Sequence, residues 1–133
     1  MKFRSLSGKE FAINIRPSQY KMRGEGSKSQ LQADVGSYIF KLLPNEVILE
    51  EFYIPIERLY LDFFIPRKML AVEINGEQHE KFVPFFHGTM SNFKESVERD
   101  AKKKRWCELN NIRLISLKHN CTYDEVKEII TSL

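Results

Sequence analysis

The stretch LYLDFFIPRKMLAVEINGEQHE, residues 59–80, carries two apolar runs of strand length around the turn-forming tripeptide PRK. One acid breaks each run, Asp62 in the first and Glu73 in the second. A carboxylate drawn into an apolar strand without a partner loses several kcal/mol of solvation, so these two acids constrain the fold more than any other feature. Side chains alternate along a strand. Alternation predicts that Leu59, Leu61, Phe63 and Ile65 share one face and that Leu70, Val72 and Ile74 join them from the second strand. Asp62 and Glu73 then emerge together on the other face. They are also symmetric about a point between Arg67 and Lys68, and hairpin partners so placed lie about 4.5–5.5 Å apart at Cβ. Like charges at that range repel, so one takes a proton or the strands part.

A divalent cation removes the conflict. Mg²⁺ takes carboxylate oxygens at about 2.1 Å and keeps several waters. Asp62, Glu73 and the backbone carbonyl of Ile74 therefore suffice as protein ligands, and Mn²⁺ is expected to substitute. The alternative is an Asp and a Glu on a solvated sheet face, each paired with a nearby Lys or Arg.

Two neighbouring features favour the cation. The second strand runs into INGEQHE, where Gly76 allows a turn or a close approach, and Gln78 and His79 follow at its open end. A histidine there can orient water or hand a proton to a leaving group. Farther on, SNFKESVERDAKKKRWCELNN reads as a charged helix with Phe93, Val97 and Ala101 as its packing stripe. Asp100, Lys103 or Lys104, and Cys107 lie beside that stripe at helical spacing, which brings at least one lysine towards the sheet. RDAKKKR sets five cations in seven residues, more than pairing to Asp100 and Glu108 absorbs. Phosphate contact is expected from Arg99, Lys102, Lys104 and Arg105.

The rest of the chain frames this centre. EFAINIRPSQY reads as a short strand stopped by Pro17, and KMRGEGSKS as a basic loop. From Ser29, a candidate N-cap, Leu31, Val35, Tyr38, Ile39 and Leu42 recur at helical spacing, with Pro44 beyond the end. EVILEEFYI and IRLISL read as strands, KFVPFFHGTMS as an aromatic-rich loop, and TYDEVKEIITSL as a closing helix capped by Thr122. The order α-β-β-β-α-β-α predicts one α/β domain with a mixed sheet over the 133 residues. Its expected parts are a basic arm and loop (1–28), a core (29–117) and a C-terminal helix (118–133). At least two of Phe82, Phe85, Phe86 and Phe93 are expected in the core. The loop carrying His87 must pass near the acids, which makes that histidine a second catalytic or phosphate-contacting candidate.

Net charge is only +3, but unevenly spread. Residues 1–30 carry seven basic and two acidic groups, residues 31–80 four and nine, and the remainder ten and seven. Acids concentrate around the two central strands while cations flank them, a pattern suited to a cation at the centre and a polyanion across it. Arg16, Lys21, Arg23 and Lys28 of the arm are candidate DNA contacts. No apolar run has the length of a membrane span, and the start lacks an export-signal pattern. Two cysteines are too few for a disulfide framework and suit a reducing compartment, so a cytoplasmic location is expected.

The combination of LYLDFFIP, LAVEING, the turn with Gln78 and His79, and RDAKKKRWCELNNIRLISL resembles the restriction-endonuclease-like, or PD-(D/E)XK, nucleases. Within them it is most similar to the branch of very-short-patch-repair and phage homing-type endonucleases. The resemblance spans residues 29–117 and implies an αβββαβ core, Mg²⁺-dependent DNA hydrolysis, and a bacterial or phage-infected host cell. It places Asp62 and Glu73 as metal-binding acids, His79 as the histidine after the Gly turn, and Arg99, Asp100 and Lys103 in the helix motif. Two positions depart from the pattern. Asn75 stands where Glu-x-Lys has its lysine, leaving Gln78, His79 and Lys103 to supply charge or position water. Gln32 is the nearest match to an acid that relatives carry on the first helix.

The expected function is thus a Mg²⁺-dependent DNA endonuclease; one site per chain nicks one strand, and a double-strand break calls for a homodimer or sequential nicks. Asn75 and Gln32 keep a second reading open, a nuclease fold that binds DNA with weakened catalysis. A third, zinc held by His87, Cys107, His119 and Cys121, matches no compact ligand spacing.

Overall fold

The hairpin about PRK forms with the register its symmetry requires. In the computed structural model, which describes residues 1–20, 26–27, 29–75 and 90–133 (backbone alone for 19 and 90–93), β4 (Leu59–Ile65) pairs antiparallel with β5 (Leu70–Asn75). Their partners are Phe63↔Val72, Phe64↔Ala71 and Ile65↔Leu70. A short 3-10 turn at Pro66–Lys68 joins them, closed by Met69 in the left-handed region at φ 48°. On the far side of β4 lies the antiparallel β3 (Leu49–Ile54). Beyond β5 lies the parallel β6 (Arg113–Lys118), giving a mixed four-stranded sheet in the order β3-β4-β5-β6.

Three helices accompany the sheet among the described residues: α1 (Gln30–Leu42), α2 (Met90–Leu109) and α3 (Tyr123–Thr131). The Ser29 hydroxyl accepts the Gln32 N–H at 3.1 Å, and the Thr122 hydroxyl accepts the Glu125 N–H at 3.3 Å, so both expected N-caps are made. Helix α2 stops at its two asparagines. Asn111 takes φ 58°, letting the Asn111 N–H reach the Glu108 carbonyl (3.2 Å) and the Ile112 N–H reach that of Cys107 (2.8 Å). Those two bonds satisfy carbonyls that a helix end otherwise leaves open.

The sheet is buried on both faces. Val35 and Ile39 of α1 and Val126 and Ile130 of α3 pack with Phe63, Ile65, Leu70, Val72 and Leu117 on one side. Trp106 and Cys107 of α2 pack with Leu49, Phe52, Ile54, Leu59, Leu61, Phe64 and Ala71 on the other. Strand β4 therefore departs from the alternation read in the sequence. Leu59 and Leu61 face α2, whereas Phe63 and Ile65 face α1 and α3. Strand β3 makes the matching change, since Leu49 and Phe52, three residues apart, share the α2 side. The switch occurs where Glu51 would face Asp62. The ladder runs Leu49↔Phe64 and Glu50↔Phe63, then resumes at Phe52↔Leu61. Glu51 there takes φ 55°, a conformation that costs a residue with a Cβ about 1–2 kcal/mol.

Residues 1–20 are not a detached arm. Lys2–Arg4 (β1) and Glu10–Ala12 (β2) form an antiparallel ribbon, and Phe3 and Ile13 are buried in the cluster under α2. The Phe3 ring lies 5.3 Å from Trp106 and 6.3 Å from Phe52, so this segment finishes the core on that face. Among the described residues, no helix is long and apolar enough to cross a membrane.

Candidate active site

Glu73 keeps the alternation of its strand and points towards α2, where Lys103 meets it with Nζ 3.0 Å from Oε1. The contact is an ion pair rather than a well-aligned hydrogen bond. Asp62 sits at the break in β4, and its Oδ2 accepts the Ile74 backbone N–H at 2.9 Å. The side chain thus takes up a donor at the point where the described β4–β5 pairing ends. Asp62 and Glu73 are 9% and 7% exposed and line one recess of about 90 Å³ with Ile74, Asn75, Asp100, Lys103, Leu114 and Ser116.

The electrostatics follow from that crowding. Burial, and then the Asp62 carboxylate beside it, push Glu73 from the ordinary carboxylate range up to about 9, against the pull of Lys103. Glu73 thus sits where a second negative charge is disfavoured and added positive charge would relieve the crowding. Burial, with Glu73 adding to it, likewise lifts the nearby Cys107 thiol to about 12, which leaves it inert as a nucleophile.

A hard cation fits this donor set. Mg²⁺ needs only one or two carboxylates when water and a phosphate complete its shell. Among the described residues no three His, Cys, Asp or Glu side chains gather into a fuller cage. The two cysteines do not support a zinc centre either: Cys107 packs on the α2 side, and Cys121 packs against the opposite core.

Helix α2 turns a different face inwards from the one its apolar residues suggested. Val97 is 49% exposed and Ala101 is exposed, whereas Trp106 and Cys107 are buried and Asp100 and Lys103 face the acids. The inward stripe is polar over its middle because it covers carboxylates rather than apolar strand. The other cations divide. Arg99, Lys102 and Arg105 border a separate recess of about 520 Å³ with Glu57, Arg58 and Glu98. Lys102 is committed there, its Nζ donating to the Glu57 carbonyl at 3.2 Å and lying 3.6 Å from the Glu57 carboxylate. Lys104 lines a third recess with Cys107, Arg113 and Ser116.

Gln32 is buried, but it is not among the residues that line the recess. Nε2 donates to Glu50 Oε2 and to Glu51 Oε1, both at 3.0 Å, and the Ser27 hydroxyl donates to the same Glu50 oxygen at 2.8 Å. Glu50, Glu51 and Ser116 went unnoticed in the sequence. The double acid in EVILEEFYI carries the same signal as Asp62, a charge inside an apolar strand. Ser116 had none. Arg16 is exposed before the 3-10 turn at Pro17–Gln19. Lys21, Arg23, Lys28, Gly76, Gln78, His79, Phe82, Phe85, Phe86 and His87 lie outside the described residues, as does the side chain of Phe93.

The chain is similar to two proteins of invertebrate viruses. One is "Uncharacterized protein 307L" of Invertebrate iridescent virus 6, 40% identical over 75 residues, which cover 56% of this chain and 36% of that one. The other is "Uncharacterized protein 033L" of Invertebrate iridescent virus 3, 34% identical over 68 residues, covering 51% and 35%. The matched segment spans about a third of each relative. No family model matches the chain, and no solved structure matches it.

Proposed function

We propose that this chain is a Mg²⁺-dependent endonuclease acting on DNA, with a restriction-endonuclease-like core. The observation that carries the reading is the meeting of Asp62, Glu73 and Lys103 in one recess at the open end of β5. Asp62, Glu73 and the Ile74 carbonyl would hold the cation. Bound there, it would supply charge to a phosphate and acidify an attacking water. The chain's own residues do the rest. The Ile74 N–H fixes the Asp62 carboxylate in one orientation. Lys103 brings the ammonium that Asn75 lacks, placed to neutralise charge developing on the phosphate. Gln78 and His79, which follow β5 in sequence, are assigned to hold water and to protonate the leaving oxygen. Exposed Arg16, Arg99, Lys104 and Arg105, with Lys21, Arg23 and Lys28, would grip the backbone. Two chains acting together would cut both strands.

The second reading, a DNA-binding module that does not cut, is favoured by one observation: Gln32 does not line the recess, its amide nitrogen serving Glu50 and Glu51 instead. Incubating supercoiled plasmid with the protein and Mg²⁺, Mn²⁺ or chelator separates the two. Metal-dependent nicking that disappears in Asp62→Ala supports the nuclease. Binding without nicking in either metal overturns it.

A further inference from the structure

The second recess beside α2, of about 520 Å³, gathers arginines from two elements. Arg99 and Arg105 come from α2 with Lys102 between them, and positions three residues apart share a helix face. Arg58 comes from the turn at residues 55–58 between β3 and β4. It sits at φ 54°, a conformation that glycine adopts freely and that is costly for a residue with a Cβ. The turn is tied down on both sides. The buried Glu57 carboxylate accepts the Leu6 N–H of the N-terminal ribbon at 2.8 Å and lies 3.6 Å from Lys102 Nζ. Lys102 in turn donates to the Glu57 carbonyl at 3.2 Å.

Lys102 is therefore neutralised by Glu57, whereas Arg58, Arg99 and Arg105 have no ion-pair partner among the described residues. With Glu95 and Glu98 exposed on the same rim, four cations face three acids. We infer that this recess is a phosphate-binding seat, separate from the acid recess, in which Arg58, Arg99 and Arg105 hold the oxygens of a phosphate group. A guanidinium is always charged and presents paired N–H donors that match two phosphate oxygens at once. Like charges converging on one open recess repel, and an anion seated between them relieves that repulsion. The backbone of Arg58 points the same way. An arginine stands where the turn favours glycine, and strain of that kind gathers at ligand-holding sites. The inference does not depend on catalysis at the acids.

The test uses two probes, inorganic phosphate and a short DNA duplex, on the full chain in chelator. Arg58→Gly relieves the backbone while removing the guanidinium, and Arg58→Lys keeps the charge without the fork. Inorganic phosphate, titrated at constant ionic strength made up with sodium chloride, is expected to raise the urea midpoint of wild type. Arg58→Gly is expected to need about 10-fold more phosphate for the same rise, the loss of one charge-assisted contact, with Arg58→Lys between the two. Duplex binding then identifies the source of the phosphate. A log–log salt slope lowered by about 0.9 in Arg58→Gly assigns the seat to the DNA backbone. An unchanged slope beside the weakened phosphate response assigns it to a free phosphate compound. Identical phosphate responses and identical slopes in all three proteins overturn the seat and leave the reading of the acid recess untouched.

Discussion

The Asp62 carboxylate accepts the Ile74 backbone N–H at 2.9 Å, a contact between adjacent strands made by a side chain instead of a peptide. A sheet that would place two acids opposite each other has turned one sideways and used it to satisfy the neighbouring backbone. The same oxygen that fixes the strand is thereby held for a ligand, so substitutions at Asp62 should separate structure from chemistry. Asp62→Asn keeps an acceptor for Ile74 and should unfold near the wild-type denaturant midpoint. Asp62→Ala leaves that donor without a partner and should lose about 1–3 kcal/mol. Both should lack metal-dependent nicking while still binding DNA, as plasmid and gel-shift assays on the two proteins would reveal.

Glu73 gives stability a distinctive pH dependence. Its value of about 9 in the folded chain lies above the ordinary 4.5, so between these the unfolded chain releases a proton that the folded chain keeps. The stability this group contributes is therefore full below about pH 4.5 and lost progressively as pH rises towards about 9. Glu73→Gln does not titrate. Urea midpoints measured across that range without metal should show the wild type losing ground to the variant as pH rises. A constant difference would contradict the raised value.

Among the described residues, Lys103 is the cation at the acid pair. Lys103→Met keeps the stem and removes the charge, and it should slow nicking by about 10²-fold or more, the cost of removing one preorganised charge-stabilising donor. Lys127, exposed on α3 and outside the acid recess, serves as the control, and Lys127→Met should cut at close to the wild-type rate. Equal rates for all three proteins would remove Lys103 from the chemistry.

Gln32→Glu introduces the acid that the restriction-endonuclease-like pattern has on its first helix. Here it would set a third carboxylate against Glu50 and Glu51 and delete the amide that serves both. A loss of about 3 kcal/mol in chemical unfolding is expected, as when one member of a buried charge network is broken. Gain of activity without loss of stability would mean that Gln32 reaches the metal.

Exposed cations on α2 should show themselves through salt. Each phosphate contact contributes about 0.9 to the log–log slope of affinity against salt concentration on duplex DNA. Lys104→Ala with Arg105→Ala should flatten the slope accordingly, whereas Lys102→Ala, which removes a partner of Glu57, should act mainly on stability.

The sequence disclosed the element order from residue 29 onwards, the hairpin register, and the approach of Asp62 and Glu73 to a lysine of α2 that spacing left as Lys103 or Lys104, because each follows from local period or symmetry. It did not disclose which face Leu59 and Leu61 occupy. Alternation was read as unbroken, and the left-handed turn at Glu51 that breaks it carries no glycine to announce it. The burial of Phe3 and Ile13 was equally hidden. Three-residue strands have too few positions for a period, and Phe3 packs against Trp106, which only tertiary structure brings near. The inward face of α2 was misread for a related reason: apolar spacing marks a packing stripe only where the surface beneath it is apolar.

The ribbon's attachment also bears on the order of assembly. The Arg4 N–H donates to the Asn110 side chain at 2.7 Å, and the Asn110 amide returns a bond to the Arg4 carbonyl at 3.0 Å, partners 106 residues apart. Closing so long a loop is slow relative to forming hairpins and helices. During synthesis, the aromatic face of the sheet under α2 is completed only when residues 106–110 emerge, since Trp106 covers it together with Phe3. Until then it is an open, sticky surface, and the nascent chain is a natural client for a chaperone at that stage.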